Sequence, residues 1–186
     1  MLNDKQVQEL FESAIALVEH DGYSVPDCLS RTVGYNRCKN SYGICKCKRR
    51  GTELISAEIS VSKYFVQGAN EAQMFETLVH EVLHAYAFTV GEYGHRGAWK
   101  QAAERISSLH NGLIVRRCAN LTDENGNSIL ETYAPKRKTH KTYVISCPDC
   151  NAKWVYHRSC KVVEHAKYLH CPRCNHYGLG ICLSYT

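Results

Sequence analysis

What this chain lacks narrows it first. No apolar run of about 18 residues occurs in its 186 residues, so no membrane span is expected. The opening Met1-Leu2-Asn3-Asp4-Lys5-Gln6 has no apolar stretch of the kind a secretory signal needs, so the expected location is intracellular. Acidic residues are almost missing from the last third. Residues 136–186 set Asp149 and Glu164 against nine Lys and Arg, giving +7, while 1–135 hold 14 basic and 16 acidic residues, giving −2. Positive charge concentrated at one end suggests a polyanion partner there. Complete disulfide pairing is excluded too, because the chain has eleven cysteines. In an intracellular protein so many thiols point to metal binding. The length allows one ordinary domain plus a small module, and the 44% apolar fraction suffices for a packed core.

Neither Pro nor Gly interrupts Glu71 to Val90. Asn70 followed by Gln73 is a capping pair. Met74, Phe75, Leu78, Val82, Leu83 and Tyr86 then recur at helical spacing. Inside this helix lies Val79-His80-Glu81-Val82-Leu83-His84, which fits H-E-x-x-H. Residues four apart share a helix face, so His80 and His84 can aim at one metal ion with Glu81 beside them as general base. A catalytic zinc site needs a third protein ligand. His95 in Glu92-Tyr93-Gly94-His95-Arg96-Gly97-Ala98-Trp99 is the first candidate, and Glu92 and His110 are the alternatives. The two glycines let the chain turn back, and a second helical run with Trp99, Ala103, Ile106 and Leu109 is expected to open at His95 and close near His110.

His-Glu-Val-Leu-His-Ala-Tyr, a short Gly-containing loop, then Gly94-His95 and an aromatic four residues on resembles the SprT-like zinc metallopeptidases, which include Spartan-type proteases acting on DNA–protein crosslinks. Arg96 stands where that family usually has Gly, and Gly97 follows. The Asn36-Arg37 and Gly43 region extends the likeness, which covers about Arg31 to Cys174. The resemblance implies an α+β, zincin-like metallopeptidase domain with a small antiparallel sheet. It implies His80, His84 and His95 as zinc ligands and Glu81 as the catalytic base. It also implies a strand at the sheet edge that pairs with substrate, for which Ile55 to Val61 is the candidate; an internal strand is the alternative. Tyr86, Tyr93 and Arg96 are the candidates for steadying the oxyanion.

Elsewhere the pattern is plainer. Asp4 to His20 reads as a helix with Val7, Leu10, Phe11, Ala14, Leu17 and Val18 on one face. Glu53 to Val61 alternates as a half-buried strand, paired through Arg50-Gly51 with Ile44 to Lys48. Gly112 to Cys118 reads as a short strand. Cys28, Cys38, Cys45 and Cys47 match no zinc spacing and are expected to be thiols, as is Cys118. Ala134 to Lys141 combines Pro with a basic run and marks a boundary. The division is 1–134 for the peptidase domain, 135–141 for a basic linker and 142–186 for a small C-terminal module.

In that module Cys147-Pro-Asp-Cys150 and Cys171-Pro-Arg-Cys174 form two C-x₂-C knuckles, the spacing of a closed, structural Cys₄ zinc ribbon. Thr142 to Ser146, Ala152 to His157 and Leu179 to Tyr185 have strand character. Trp154 and Tyr156 fall on one strand face among Lys153, Arg158, Lys161, Lys167 and Arg173. Bases can stack on such aromatics while the cations follow phosphates; covering the ribbon's own core is the other reading of the pair. Spartan-type members similarly carry a zinc-binding DNA module after the protease domain. The expected whole is an endopeptidase with one catalytic and one structural Zn²⁺. It would act on a protein substrate near DNA, single strands favoured, with no membrane. The alternative is a nucleic-acid-binding adaptor that does not cut.

Overall fold

A computed structural model describes residues 1–135 and 141–185. The basic run of the expected linker, residues 136–140, lies outside the described residues. The chain divides into two compact units, Met1–Pro135 and Lys136–Thr186, each with helices and a small sheet.

Two capping boxes start the main helices of the first unit. At α1 (Asp4–His20) the Asn3 side chain accepts from the Gln6 N–H at 2.9 Å, and the Gln6 side chain accepts from the Asn3 N–H at 3.0 Å. At α3 (Glu71–Thr89) Asn70 and Gln73 repeat the exchange at 2.9 and 3.1 Å. Each cap contributes about 1 kcal/mol by satisfying N–H groups that a helix start leaves open. The two helices pack together through Val7, Phe11 and Val18 on one and Met74, Leu78 and Val82 on the other, all fully buried. Cutting Phe11 back to Ala would cost about 3–5 kcal/mol.

The sheet is ordered β1 (Gly34–Asn36), β3 (Glu53–Ser62), β2 (Gly43–Arg50). Strands β2 and β3 pair antiparallel, but β1 runs parallel to β3, so the sheet is mixed rather than antiparallel throughout. This order decides between the two readings of Ile55 to Val61 in favour of the internal strand: β3 is central, and β2 is an edge. The three residues of β1 pair with Ser60–Ser62 only, Leu29 bridges to Ala57 on the same flank, and neither segment carries an alternation that would announce a strand. Ala57, Ile59 and Val61 of β3 are buried in the common core, as the alternation requires.

Three further helices complete the unit: α2 (Lys63–Gly68), α4 (Gly97–Leu109) and α5 (Ile129–Tyr133). Helix α4 starts two residues after His95, with Arg96 as its N-cap residue. The expected strand over 112–118 does not form. Its alternating Leu113 and Val115 are buried, but its backbone bonds go to side chains, with Val115 N–H donating to Ser107 Oγ at 3.0 Å and Arg116 O accepting from His80 at 2.8 Å.

In the second unit β4 (Lys141–Ser146) lies between β5 (Lys153–Tyr156) and β6 (Gly180–Tyr185), all antiparallel. Helix α6 (Lys161–Glu164) and a 3₁₀ turn at Ala166–Tyr168 supply Val163 and Ala166 to a core shared with Ile145, Ala152 and Leu179.

Candidate functional site

Helix α3 brings His80 and His84 to one face, one turn apart. The chain leaves α3 through Gly91 and Gly94, both at positive φ (78° and 76°), and returns His95 to that face. His95 Nε2 lies 2.9 Å from His80 Nε2 and 3.2 Å from His84 Nε2. A tetrahedral ion with metal–nitrogen bonds of about 2.0–2.1 Å separates its ligand nitrogens by roughly 3.3 Å, so this triangle fits a zinc-sized ion.

The rings are held from behind. His80 Nδ1 lies 2.8 Å from Arg116 O, which places the proton on Nδ1 and leaves the Nε2 lone pair facing the other two histidines. Trp99 Nε1–H donates to His80 O at 3.2 Å, and its ring packs 4.7, 5.4 and 4.5 Å from the His80, His84 and His95 rings. Burial pushes His80 down to about 4, the hydrogen bond to Arg116 O only partly opposing it. Burial, aided by repulsion from the neighbouring rings, takes His84 to about 3. Burial and then the Arg117 charge lower His95. Three imidazoles that stay neutral at pH 7 are three lone pairs available to a cation.

Glu81 turns from the same helix toward β2. It is 6% exposed, and burial raises its carboxyl to about 8 against the opposing pull of the Cys45 N–H. Gly43 is what lets β2 approach. A Cβ there would sit 2.7 Å from Glu81 Cγ and 2.8 Å from Glu81 Oε1. Cys45, facing this carboxylate, has its thiol raised first by burial and then by Glu81. A cavity of about 540 Å³ opens over the group, with β2 residues Gly43, Ile44 and Cys45 on one wall and Ile114, Arg116 and Arg117 on the other.

The alternatives for the third ligand go elsewhere. Glu92 accepts from the Ala98 N–H at the start of α4, and any side chain at Gly97 (φ 50°) would collide with that carboxylate. This explains a glycine one place later than the family's usual position. His110 Nε2 binds Asp21 Oδ2 at 2.7 Å, joining the ends of α4 and α1. Tyr86 lies tilted against Tyr23 with ring centres 5.0 Å apart, packed against the core, and Tyr93 lines the cavity. The contacts of Gly43, Arg116 O and Arg117 had no local signature in the sequence.

In the second unit Cys147, Cys150, Cys171 and Cys174 converge, their sulfurs all within 4.8 Å of one another. Cys147 Sγ to Cys174 Sγ is 3.5 Å and Cys150 Sγ to Cys171 Sγ is 3.6 Å. Disulfide sulfurs would be about 2.05 Å apart, whereas ligands at about 2.3 Å on a tetrahedral zinc would be roughly 3.75 Å apart. The two knuckles have one design. Asn151 N–H donates to Cys147 O at 3.0 Å and Asn175 N–H to Cys171 O at 2.8 Å, and both asparagines take left-handed φ (55° and 61°). Cys147 N–H then donates to Ala152 O at 2.9 Å, and Cys171 N–H to His176 O at 2.7 Å. Cys28, Cys38, Cys45, Cys47 and Cys118 are free thiols, and no metal-binding group among the described residues includes them.

Around this cluster Lys153, Arg158, Lys161, Lys167 and Arg173 are exposed. Trp154 and Tyr156 are half-buried against the second unit's core, as their shared strand face allows. The fully presented aromatics are Tyr168, with Lys167 Nζ 4.8 Å from its ring centre, and Tyr177. No helix among the described residues is long and apolar enough to cross a membrane.

Residues 7–119 match a family model described as the SprT-like family. No curated protein matches the chain.

Proposed function

The chain belongs to the SprT-like family, and from that premise we propose that residues 1–134 are a zincin-like peptidase domain that hydrolyses proteins associated with DNA. The observation that carries this reading is the open histidine triangle with Glu81 buried beside it. His80, His84 and His95 would hold Zn²⁺, with Arg116 O and Trp99 fixing their orientation. Zinc in such a site supplies Lewis acidity, making a water a better nucleophile near pH 7 and polarising a peptide carbonyl.

The chain's own groups do the rest. Glu81 takes the proton from the attacking water and returns it to the leaving amine. Substrate backbone would add to the free edge of β2, whose first residues line the cleft, in the β-addition mode. That role therefore passes to Gly43–Arg50.

The second unit, 142–186, would be a zinc ribbon, with Cys147, Cys150, Cys171 and Cys174 on a structural ion. Its small core gains on the order of 10 kcal/mol of folding free energy from metal. Its exposed cations, with Tyr168 and Tyr177, suit single-stranded nucleic acid, and residues 135–141 would link the two units.

The test is cleavage of a DNA-bound basic protein, with and without single-stranded DNA, by wild type and Glu81→Gln. Cleavage stimulated by DNA and lost in the zinc-loaded variant is expected. Wild-type turnover by Glu81→Gln would remove the base assignment. No cleavage under any condition, with two zinc ions per chain, would overturn the peptidase reading.

A further inference from the structure

We propose that Arg117 is a catalytic residue of this cleft, its guanidinium donating to the scissile carbonyl oxygen as that oxygen becomes charged. The proposal rests on the proteolytic reading of the site.

The wall that carries Arg117 is an irregular segment pinned at three points. Val115 N–H is held by Ser107 Oγ at 3.0 Å, Arg116 O by His80 Nδ1–H at 2.8 Å, and Leu121 N–H by Tyr42 Oη at 3.0 Å. Arg117 is thus the residue directly after the carbonyl that orients the first histidine, so its backbone is fixed beside the triad. Its side chain is exposed, lines the cavity and has no ion-pair partner among the described residues. A guanidinium offers five N–H donors, and none of Arg117's is committed to a carboxylate.

The two tyrosines near the motif pack their rings on neighbours. Tyr86 lies tilted against Tyr23 at 5.0 Å. The Tyr93 ring packs 5.5 Å from Phe88 and lies under the Arg49 guanidinium at 5.7 Å. Arg96 stands at the N-cap position of α4, makes no side-chain cap bond there and does not line the cavity.

The step balances as follows. The water oxygen bonds to the carbonyl carbon, the C=O π pair moves onto the carbonyl oxygen, and Glu81 takes the water's proton. When the C–N bond breaks, the pair returns to re-form C=O, and the amine leaves with the proton from Glu81. Negative charge sits on the oxygen only between these events. A donor aimed there lowers the barrier without tightening substrate binding.

Arg117→Gln, Arg117→Lys and the equal-charge control Lys63→Gln separate the possibilities. Each is measured for kcat and KM on a flexible peptide. Each is also measured for affinity toward a phosphinic peptide, whose tetrahedral anion mimics the intermediate. The ordinary amide peptide of the same sequence is bound to the same variants in a Glu81→Gln background. Arg117→Gln should lower kcat about 100-fold with KM within about twofold, and should weaken the phosphinic peptide by a like factor while sparing the amide. Arg117→Lys should recover about tenfold of the loss, because it keeps the charge but not the fork. Lys63→Gln should match wild type. A kcat for Arg117→Gln within about threefold of wild type overturns the proposal, as does parallel weakening of both peptides. If wild type cleaves nothing, the peptidase reading falls, and the affinity comparison still decides Arg117: a phosphinate-selective loss supports it, and an equal or absent loss ends it.

Discussion

Replacing Gly43 by Ala adds one methyl group at the contact between β2 and Glu81. That methyl would meet Glu81 Cγ at 2.7 Å, Oε1 at 2.8 Å and Cδ at 3.1 Å. Carbon atoms rest at about 3.5–4.0 Å, so something must yield by roughly 1 Å. Gly43 is not at positive φ, so alanine meets no backbone strain there. The β2 backbone is held in register with Val61 opposite, and Glu81 stands on a helix packed in the core, which leaves the Glu81 side chain to move. A 1 Å displacement of a reacting group costs about 100-fold in rate. Overpacking destabilises by about 1–3 kcal/mol, which a fold of this size can survive. The assay is kcat on a peptide substrate, with zinc content and urea unfolding on the same preparation. A fall of about 100-fold in kcat with zinc retained is expected. Gly34→Ala, on β1 of the same sheet and nearest to Ser60 Cβ at an ordinary 3.4 Å, is the control and should stay within about twofold. Full activity in Gly43→Ala would refute the idea that β2 sets the position of Glu81; loss of zinc would place the damage in the fold instead.

Other outcomes follow from the same contacts. Trp99→Phe keeps the ring packing but removes the donor to His80 O, and zinc affinity at the histidine site should fall about tenfold in chelator competition; unchanged affinity would make the indole N–H irrelevant. Burial alone would raise Asp21, but hydrogen bonds from His110 and His20 outweigh it and hold the carboxyl below its usual 3.8. Asp21→Asn should therefore cost about 1 kcal/mol in urea unfolding at pH 7. A carboxyl lowered in the folded state stabilises above 3.8 and loses that contribution as pH falls through its native value, so the deficit should fade in acid; a deficit constant with pH would contradict this. Chelation should abolish the near-ultraviolet signal of Trp154 at zinc levels that leave the packing of α1 on α3 intact, and a single joint transition would argue against independent metal dependence. Log affinity for single-stranded DNA should fall linearly with log salt, less steeply after Lys161→Gln; an unchanged slope would remove that phosphate contact.

Much of this was legible because it is local. Asn3–Gln6 and Asn70–Gln73 announce α1 and α3 by capping chemistry alone, and the alternation of Ala57, Ile59 and Val61 announces a strand. The spacing of His80 and His84 and the repeated C-P-x-C are short-range rules as well. What escaped depends on partners far along the chain. Strand order turned on Gly34–Asn36, too short to show a period, so the sequence left β3 open between edge and interior. Leu113 and Val115 alternate like a strand, yet their neighbours are Ser107 and His80 rather than another strand. Gly43 and Glu81 meet only because β2 crosses α3, and no pattern within either segment reports that approach. Trp154 and Tyr156 were legible as sharing a face, but only the covering α6 and 3₁₀ turn make that face the inner one.

The two Cys₄ turns repeat one backbone recipe, down to the left-handed asparagine after the second cysteine. The two turns therefore repeat one backbone design around the four sulfurs, and the third residue of each turn is the one place where the two copies of C-P-x-C differ. Asp149 occupies that position in one copy and Arg173 in the other. The side-chain charge beside the four sulfurs can therefore change sign from one turn to the other while the backbone that places them stays the same.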